Sequence, residues 1–200
     1  MIELTTARYV AQMDNLKAAL SILTSAIPRH GSVVYLDQPL HMNVGDLLIN
    51  LGVEHLFREY GVNVKARFSL RDYAKFAAHI NPEDTIVLHG GGNLGDIWPN
   101  HENLRHLVLK NHPGNKVILF PQSIHFSDMA KAEAAGHAYR AHPNFTLFVR
   151  DLESQTFARE VLGLSASLSP DTAHQLWGTE LKSVLAGQGT LKFYRRDKEA

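Results

Sequence analysis

The sequence contains no cysteine, which excludes disulfide frameworks, thiolate zinc centres and cysteine nucleophiles and fits a reducing compartment. It has no net charge either, because 20 Lys and Arg balance 20 Asp and Glu. Without a clustered basic block there is no means of neutralising a phosphate backbone, so nucleic acid is not expected as a partner. No run approaches the roughly 18 to 20 apolar residues of a membrane span. The opening MIELTTARYVAQMDNL is polar and acidic throughout, unlike a secretory leader. A cytoplasmic location is therefore expected, with peripheral contact at the inner face of the membrane left open. H-E-x-x-H, G-x-S-x-G, Walker A and EF-hand patterns are all missing. The 12 histidines do not compensate: His101 and His106 are five apart, off a common helical face, and no metal site is expected.

What is present is organised around residues 85–98, TIVLHGGGNLGDIW. The apolar run 85–88 reads as a buried strand that empties into Gly90, Gly91 and Gly92, then into Asn93 and a second turn signal at Gly95-Asp96. Glycines without a Cβ let backbone N–H groups approach a ligand closely. The run matches G-x-G-x-x-G, but the next strand ends in Phe120-Pro121-Gln122 rather than an acidic residue, and Pro99 follows the loop, so the dinucleotide reading is weak.

Apolar periodicity predicts helices over 6–26, 45–60, 71–80, 100–110, 128–141 and 152–162, and strands over 32–36, 63–69, 85–88, 116–120, 145–149 and 166–168. The alternation implies right-handed crossovers and a doubly wound, mostly parallel, Rossmann-like α/β sheet, with ligands beyond the carboxyl ends of the strands. Residues 1–178 form this domain. A linker from 179, and a strand over 190–194, are expected to open a truncated second domain.

The loops at those carboxyl ends hold the candidate chemistry. Asn43 and Gly45-Asp46 stand where a helix begins, and serve either as its cap or as groups for a ligand's hydroxyls. Asp96 follows Gly95 in a parallel setting, so that Asp46 and Asp96 are candidates for a general base. Arg150 sits directly after a strand, either as a fork for a carboxylate or phosphate or as a structural partner of Asp151 or Asp171. Ser154 reads as a helix cap. His89 and His125 lie at strand ends, and Trp98 either stacks on a sugar ring or closes the core.

Taken in order, NVGD at 43–46, LHGGGNLGDIW at 88–98, FPQSI at 120–124, VRDLES at 149–154 and SPD at 169–171 resemble the polysaccharide pyruvyl transferase family, and YRRDKE at 194–199 is similar to the opening of that family's second domain. The resemblance implies the N-terminal half of a two-domain enzyme of the GT-B kind. Such an enzyme moves the enolpyruvyl group of phosphoenolpyruvate onto a saccharide, free or lipid-linked, as a ketal during exopolysaccharide or cell-wall polymer synthesis. The donor is a substrate; no metal or organic cofactor is implied. C3 of the enol ether must be protonated, C2 captured by sugar oxygens and phosphate released. The resemblance places catalysis on Asp46 or Asp96, and substrate binding on Asn43, Gly45, His89, Gly90, Gly91, Gly92, Asn93, Trp98, Gln122, Ser123, Arg150 and Ser154. Much of the phosphoenolpyruvate pocket, including an acid histidine, is expected from the second domain, so the 200-residue chain alone is expected to lack part of the machinery. Two other readings fit the same architecture: a nucleotide-sugar glycosyltransferase and a non-catalytic saccharide-binding domain.

Overall fold

The strands form where β-branched and apolar runs are bounded by turn residues, and their side chains divide by parity between two cores. The structure, a computed structural model, describes residues 2–179, so the expected linker and second-domain strand lie, but for Thr179, outside the described residues. An N-terminal helix α1 (Ile2–Ala19) leads into α2 (Ser21–Ala26). Then follow β1 (Val33–Leu36), α3 (Val44–Glu59), β2 (Val64–Phe68), the short α4 (Tyr73–Phe76), β3 (Thr85–Leu88), β4 (Gly91–Gly95) and α5 (Pro99–Asn111). The chain continues through β5 (Lys116–His125), α6 (Met129–Ala141), β6 (Phe145–Val149), α7 (Leu152–Glu160) and β7 (Ala166–Leu168) to a 3₁₀ turn at Thr172–Leu176.

The sheet runs β2-β1-β3-β5-β6-β7 with every pairing parallel, the doubly wound, Rossmann-like arrangement expected. Val34, Leu36, Ile86, Leu88, Val117 and Leu119 face one way and pack with residues of α5, α6 and α7. Val33, Tyr35, Val87, Ile118 and Phe120 face the other way, against Leu23 of α2 and Val53, Leu56 and Phe57 of α3. Each side chain of this kind that is fully withdrawn from water contributes about 1.5–3 kcal/mol.

Four elements differ from expectation. The helix over 6–26 breaks at Leu20, which turns Leu20 and Leu23 into the core while Tyr9 and Val10 stay exposed. The helix over 71–80 shrinks to α4 and a 3₁₀ turn at Ala77–His79. The glycine stretch, expected as a loop, is a strand. β5 extends past Pro121 to ten residues, pairing with β3 along its first half and with β4 along its second, Gly91 opposite Gln122 and Gly95 opposite His125. Pro121 is accommodated by an irregularity in the β5–β6 register between Leu119 and Gln122.

The pairing of β4 requires glycine. Gly95 has φ 137°, and a Cβ there would overlap the His125 carbonyl oxygen. Gly95→Ala is expected to destabilise the protein by about 3 kcal/mol or more. Gly114→Ala, where a Cβ meets nothing, should stay within about 0.5 kcal/mol of the parent in the same urea denaturation series.

Candidate functional site

The sheet reverses its winding direction between β1 and β3, and the space beyond their carboxyl ends is where such folds hold ligands. There the chain leaves β1 at Asp37, 4% exposed, and a cavity of about 450 Å³ opens between the loop after β1, the turn after β2 and the start of α5. Asp37, His41, Arg71, Trp98 and His101 are among the residues lining it. His101, in the first turn of α5, places Nδ1 2.8 Å from Asp37 Oδ2. Half-buried Trp98 forms part of the wall just before Pro99 begins the helix.

β4 stands behind this cavity and is held by buried polar groups. The Gln122 amide, fully buried, accepts from Asn93 N at 3.1 Å and donates to the His89 carbonyl at 2.9 Å and to Asn93 Oδ1 at 3.1 Å. From the other side the Arg105 guanidinium donates to the Asn93 carbonyl at 3.0 Å and to Asn93 Oδ1, and pairs with Glu102 at 3.2 Å. Asn93 is thereby fixed with its carboxamide nitrogen 3.4 Å from His101 Nδ1.

His89 lies beneath, 2% exposed, its Nδ1 against the Tyr35 hydroxyl, which also reaches Asn50 Oδ1 at 3.2 Å. One proton per donor assigns Nδ1–H to Tyr35 Oη and Tyr35 O–H to Asn50, leaving Nε2 as a buried lone pair without a partner. Burial, opposed by the charges of Asp37 and Asp171 and helped by His101 and Arg105, pushes the imidazole down to about 4. His89 is therefore neutral at physiological pH.

The NVGD segment meets the glycine strand. Asn43 caps α3 by accepting from Gly45 N at 3.0 Å. Asp46 points at β4, so close that a Cβ at Gly91 would come 3.3 Å from its Oδ1, and His41 Nε2 lies 3.6 Å from its other oxygen. Gly90 passes the Pro121 carbonyl, where a Cβ would come within 2.8 Å, and Gly92 follows within β4.

Asp96 has different neighbours. Its oxygens accept from Ser127 N at 3.0 Å, the Ser127 hydroxyl at 2.8 Å and Asp128 N at 2.9 Å, bracing the turn before α6. Asp46 and Asp96, expected to share a crevice, thus serve separate elements. Further along the same edge, Arg150 Nε donates to Ser123 Oγ at 2.9 Å and Nη1 pairs with Asp171 at 2.7 Å. The Ser123 hydroxyl donates to Asp151, which caps α7 through Ser154 N, and buried Ser154 Oγ accepts from Ile124 N at 2.8 Å. Of the two alternatives for Arg150 the structure shows the ion pair, with Asp171 rather than Asp151, and leaves the side chain 31% exposed.

The structure therefore brings Asn43, Gly45, Asp46, Gly90, Gly91, Gly92 and Asn93 around one wall, and Gln122, Ser123, Arg150 and Ser154 around the next. Sequence reasoning missed Asp37, His101 and Arg105. Asp37 was findable, since it follows a strand directly; Arg105, only 1% exposed, reads in sequence as an ordinary surface arginine. Among the described residues no group of three or more His, Asp or Glu is arranged to hold a metal ion, and no helix is long and apolar enough to cross a membrane.

A parallel α/β domain with a polar crevice at its winding switch point is of the Rossmann-like class. Comparison with known proteins narrows this: the model of the family described as polysaccharide pyruvyl transferase matches residues 43–199, and the chain belongs to that family. EpsO of Bacillus subtilis, named provisionally as a pyruvyl transferase, is 33% identical over 189 residues, covering 94% of this chain and 58% of EpsO. Pyruvyl transferase 1 of Schizosaccharomyces pombe is 34% identical over 143 residues, 66% of this chain and 35% of that protein. General stress protein 30 of B. subtilis is 27% identical over 80% of this chain and 49% of its own length. The chain spans about half the length of the curated relatives it matches.

Asp96 supplies a test of the site's architecture. Burial would raise its carboxyl, but the N–H groups of Ser127 and Asp128 and the Ser127 hydroxyl outweigh this and hold it below the ordinary value. A depressed folded pKa stabilises fully above the unfolded value near 4 and is lost as pH falls through the folded one. Asp96→Ala is expected to cost about 1–2 kcal/mol at pH 7, with the difference from the parent shrinking below about pH 4 in urea denaturation.

Proposed function

We propose that the protein containing this chain transfers the enolpyruvyl group of phosphoenolpyruvate to a saccharide, forming a ketal, in exopolysaccharide or cell-wall polymer synthesis. The family match over residues 43–199 carries this reading, since it embraces both polar walls of the crevice. In it, phosphoenolpyruvate presents a carboxylate and a phosphate to the edge that holds Arg150, whose guanidinium is already oriented by Asp171 and Ser123. The glycine strand passes close beside Asp46, with no side chain at Gly91 to displace its carboxylate. The remaining cations and the acid that protonates C3 come from the second domain of a GT-B-like architecture, and no metal or organic cofactor takes part. Leu40 lines the cavity and is exposed, as are Met42 and Val44 a few residues further along the chain, which suits an acceptor carried on a lipid and peripheral contact with the inner face of the membrane.

The full-length native protein is expected to release phosphate from phosphoenolpyruvate only when a saccharide acceptor is present, with the product gaining a pyruvate ketal by mass spectrometry. Arg150→Lys, which keeps the charge but loses the planar fork, should lower kcat/KM for phosphoenolpyruvate by about 10- to 100-fold. Phosphate release unaffected by any free or lipid-linked saccharide would sink the proposal.

A further inference from the structure

Asp37 is the one non-glycine residue with positive φ among the described residues, at 66°. Aspartate tolerates this left-handed region better than most residues, yet it still costs on the order of 1 kcal/mol and persists only where the surroundings enforce it. Its effect here is to place the carboxylate at the base of the 450 Å³ cavity, nearly sealed from water, with Oδ2 2.8 Å from His101 Nδ1. The Asn93 carboxamide nitrogen also faces Nδ1 but at 3.4 Å, so the closer carboxylate takes the Nδ1–H, which fixes the imidazole tautomer and leaves Nε2 as the acceptor, the arrangement by which an orienting acid sets up a histidine base. The His101 side chain remains 22% exposed and lines the cavity, so the base is reachable.

The rest of the cavity suits one sugar ring. Its volume falls in the roughly 300–1,000 Å³ range of small-ligand sites. Trp98, Leu40 and Leu70 give it apolar surface for the C–H face of a pyranose, while Arg71, His41 and Asn100 offer hydrogen bonds to hydroxyls. The charged and titratable groups around His101 are Asp37 at the end of β1, His41 and Arg71 across the cavity, His89 beneath from the end of β3, and Arg105 one turn along α5.

We infer that this cavity seats the acceptor sugar, and that His101, held by Asp37, is the base that takes the proton from the attacking hydroxyl. The inference rests on the pyruvyl-transfer reading. The hydroxyl oxygen bonds to C2 of phosphoenolpyruvate as C3 gains a proton from the enzyme's acid and His101 Nε2 accepts the hydroxyl proton. The C2–O bond to phosphate then breaks, and the second hydroxyl oxygen closes the ketal. Two hydroxyl protons are lost in all: one balances the proton gained at C3, and the other leaves on hydrogen phosphate.

The test uses the full-length protein and methyl glycosides of glucose, galactose and mannose as acceptors. His101→Gln is expected to lower kcat by about 100- to 10,000-fold with little change in KM for phosphoenolpyruvate, and to abolish the acid limb of the pH–rate profile. Asp37→Asn should lower kcat less and keep that limb. Circular dichroism and thermal melts report folding of both variants. If either fails to fold, the wild-type histidine ¹⁵N spectrum decides: the acceptor that turns over should shift the His101 Nε2 resonance, and an unmoved resonance at saturation overturns the inference. An unimpaired kcat in folded His101→Gln also overturns it, leaving pyruvyl transfer intact. Absence of pyruvyl transfer by the wild-type protein overturns both.

Discussion

The close pairing of β4 with the second half of β5 is the contact on which the rest of the site depends. An ordinary side chain at Gly95 would collide with the His125 carbonyl, and one at Gly90 would press on Pro121. With neither present, the chain leaving β3 continues straight along β5 instead of turning into a helix. The sheet is thereby extended beyond the edge where β1 ends, and this extension forms the rear wall of the crevice. Asn93, Trp98 and His101 are positioned as consequences, because α5 starts only after the extended segment has ended.

Polar burial secures that geometry. Arg105 is almost completely enclosed, and a guanidinium there would be costly without partners. Glu102 supplies the countercharge and is itself held by the Tyr139 hydroxyl at 2.7 Å, while Asn93 takes two further donor groups. Helices α5 and α6 are thus tied to β4 through one network. A second network, Ser123–Arg150–Asp171 with Asp151 and Ser154, ties the ends of β5 and β6 to the start of α7 and to the 3₁₀ turn. In each, a polar side chain at the carboxyl edge of the sheet is held by several hydrogen-bonded partners, so that edge is preorganised.

Much of this was legible because it depends on short-range patterns. Alternating runs of β-branched residues and amphipathic segments indicated six of the strands and a mostly parallel, doubly wound sheet, and placed the polar loops at the carboxyl ends of the strands. The glycine strand was not legible: a run of glycines carries no apolar alternation, and its pairing rests on a strand more than 20 residues away. Asp96 looked like a twin of Asp46, yet its partners, Ser127 and Asp128, lie 31 and 32 residues on, beyond what spacing alone reveals.

The sequence by itself determined the fold class, the edge on which the polar loops gather and the resemblance to a family, because periodicity and local motifs are properties of neighbouring residues. Only the tertiary structure decided which of those polar residues meet. Asp37 and His101 are 64 positions apart and become partners because β1 and β3 pair side by side and β4 carries the start of α5 back over the end of β1. Through-space proximity of that kind is set by the packing of whole elements, and no local pattern encodes it.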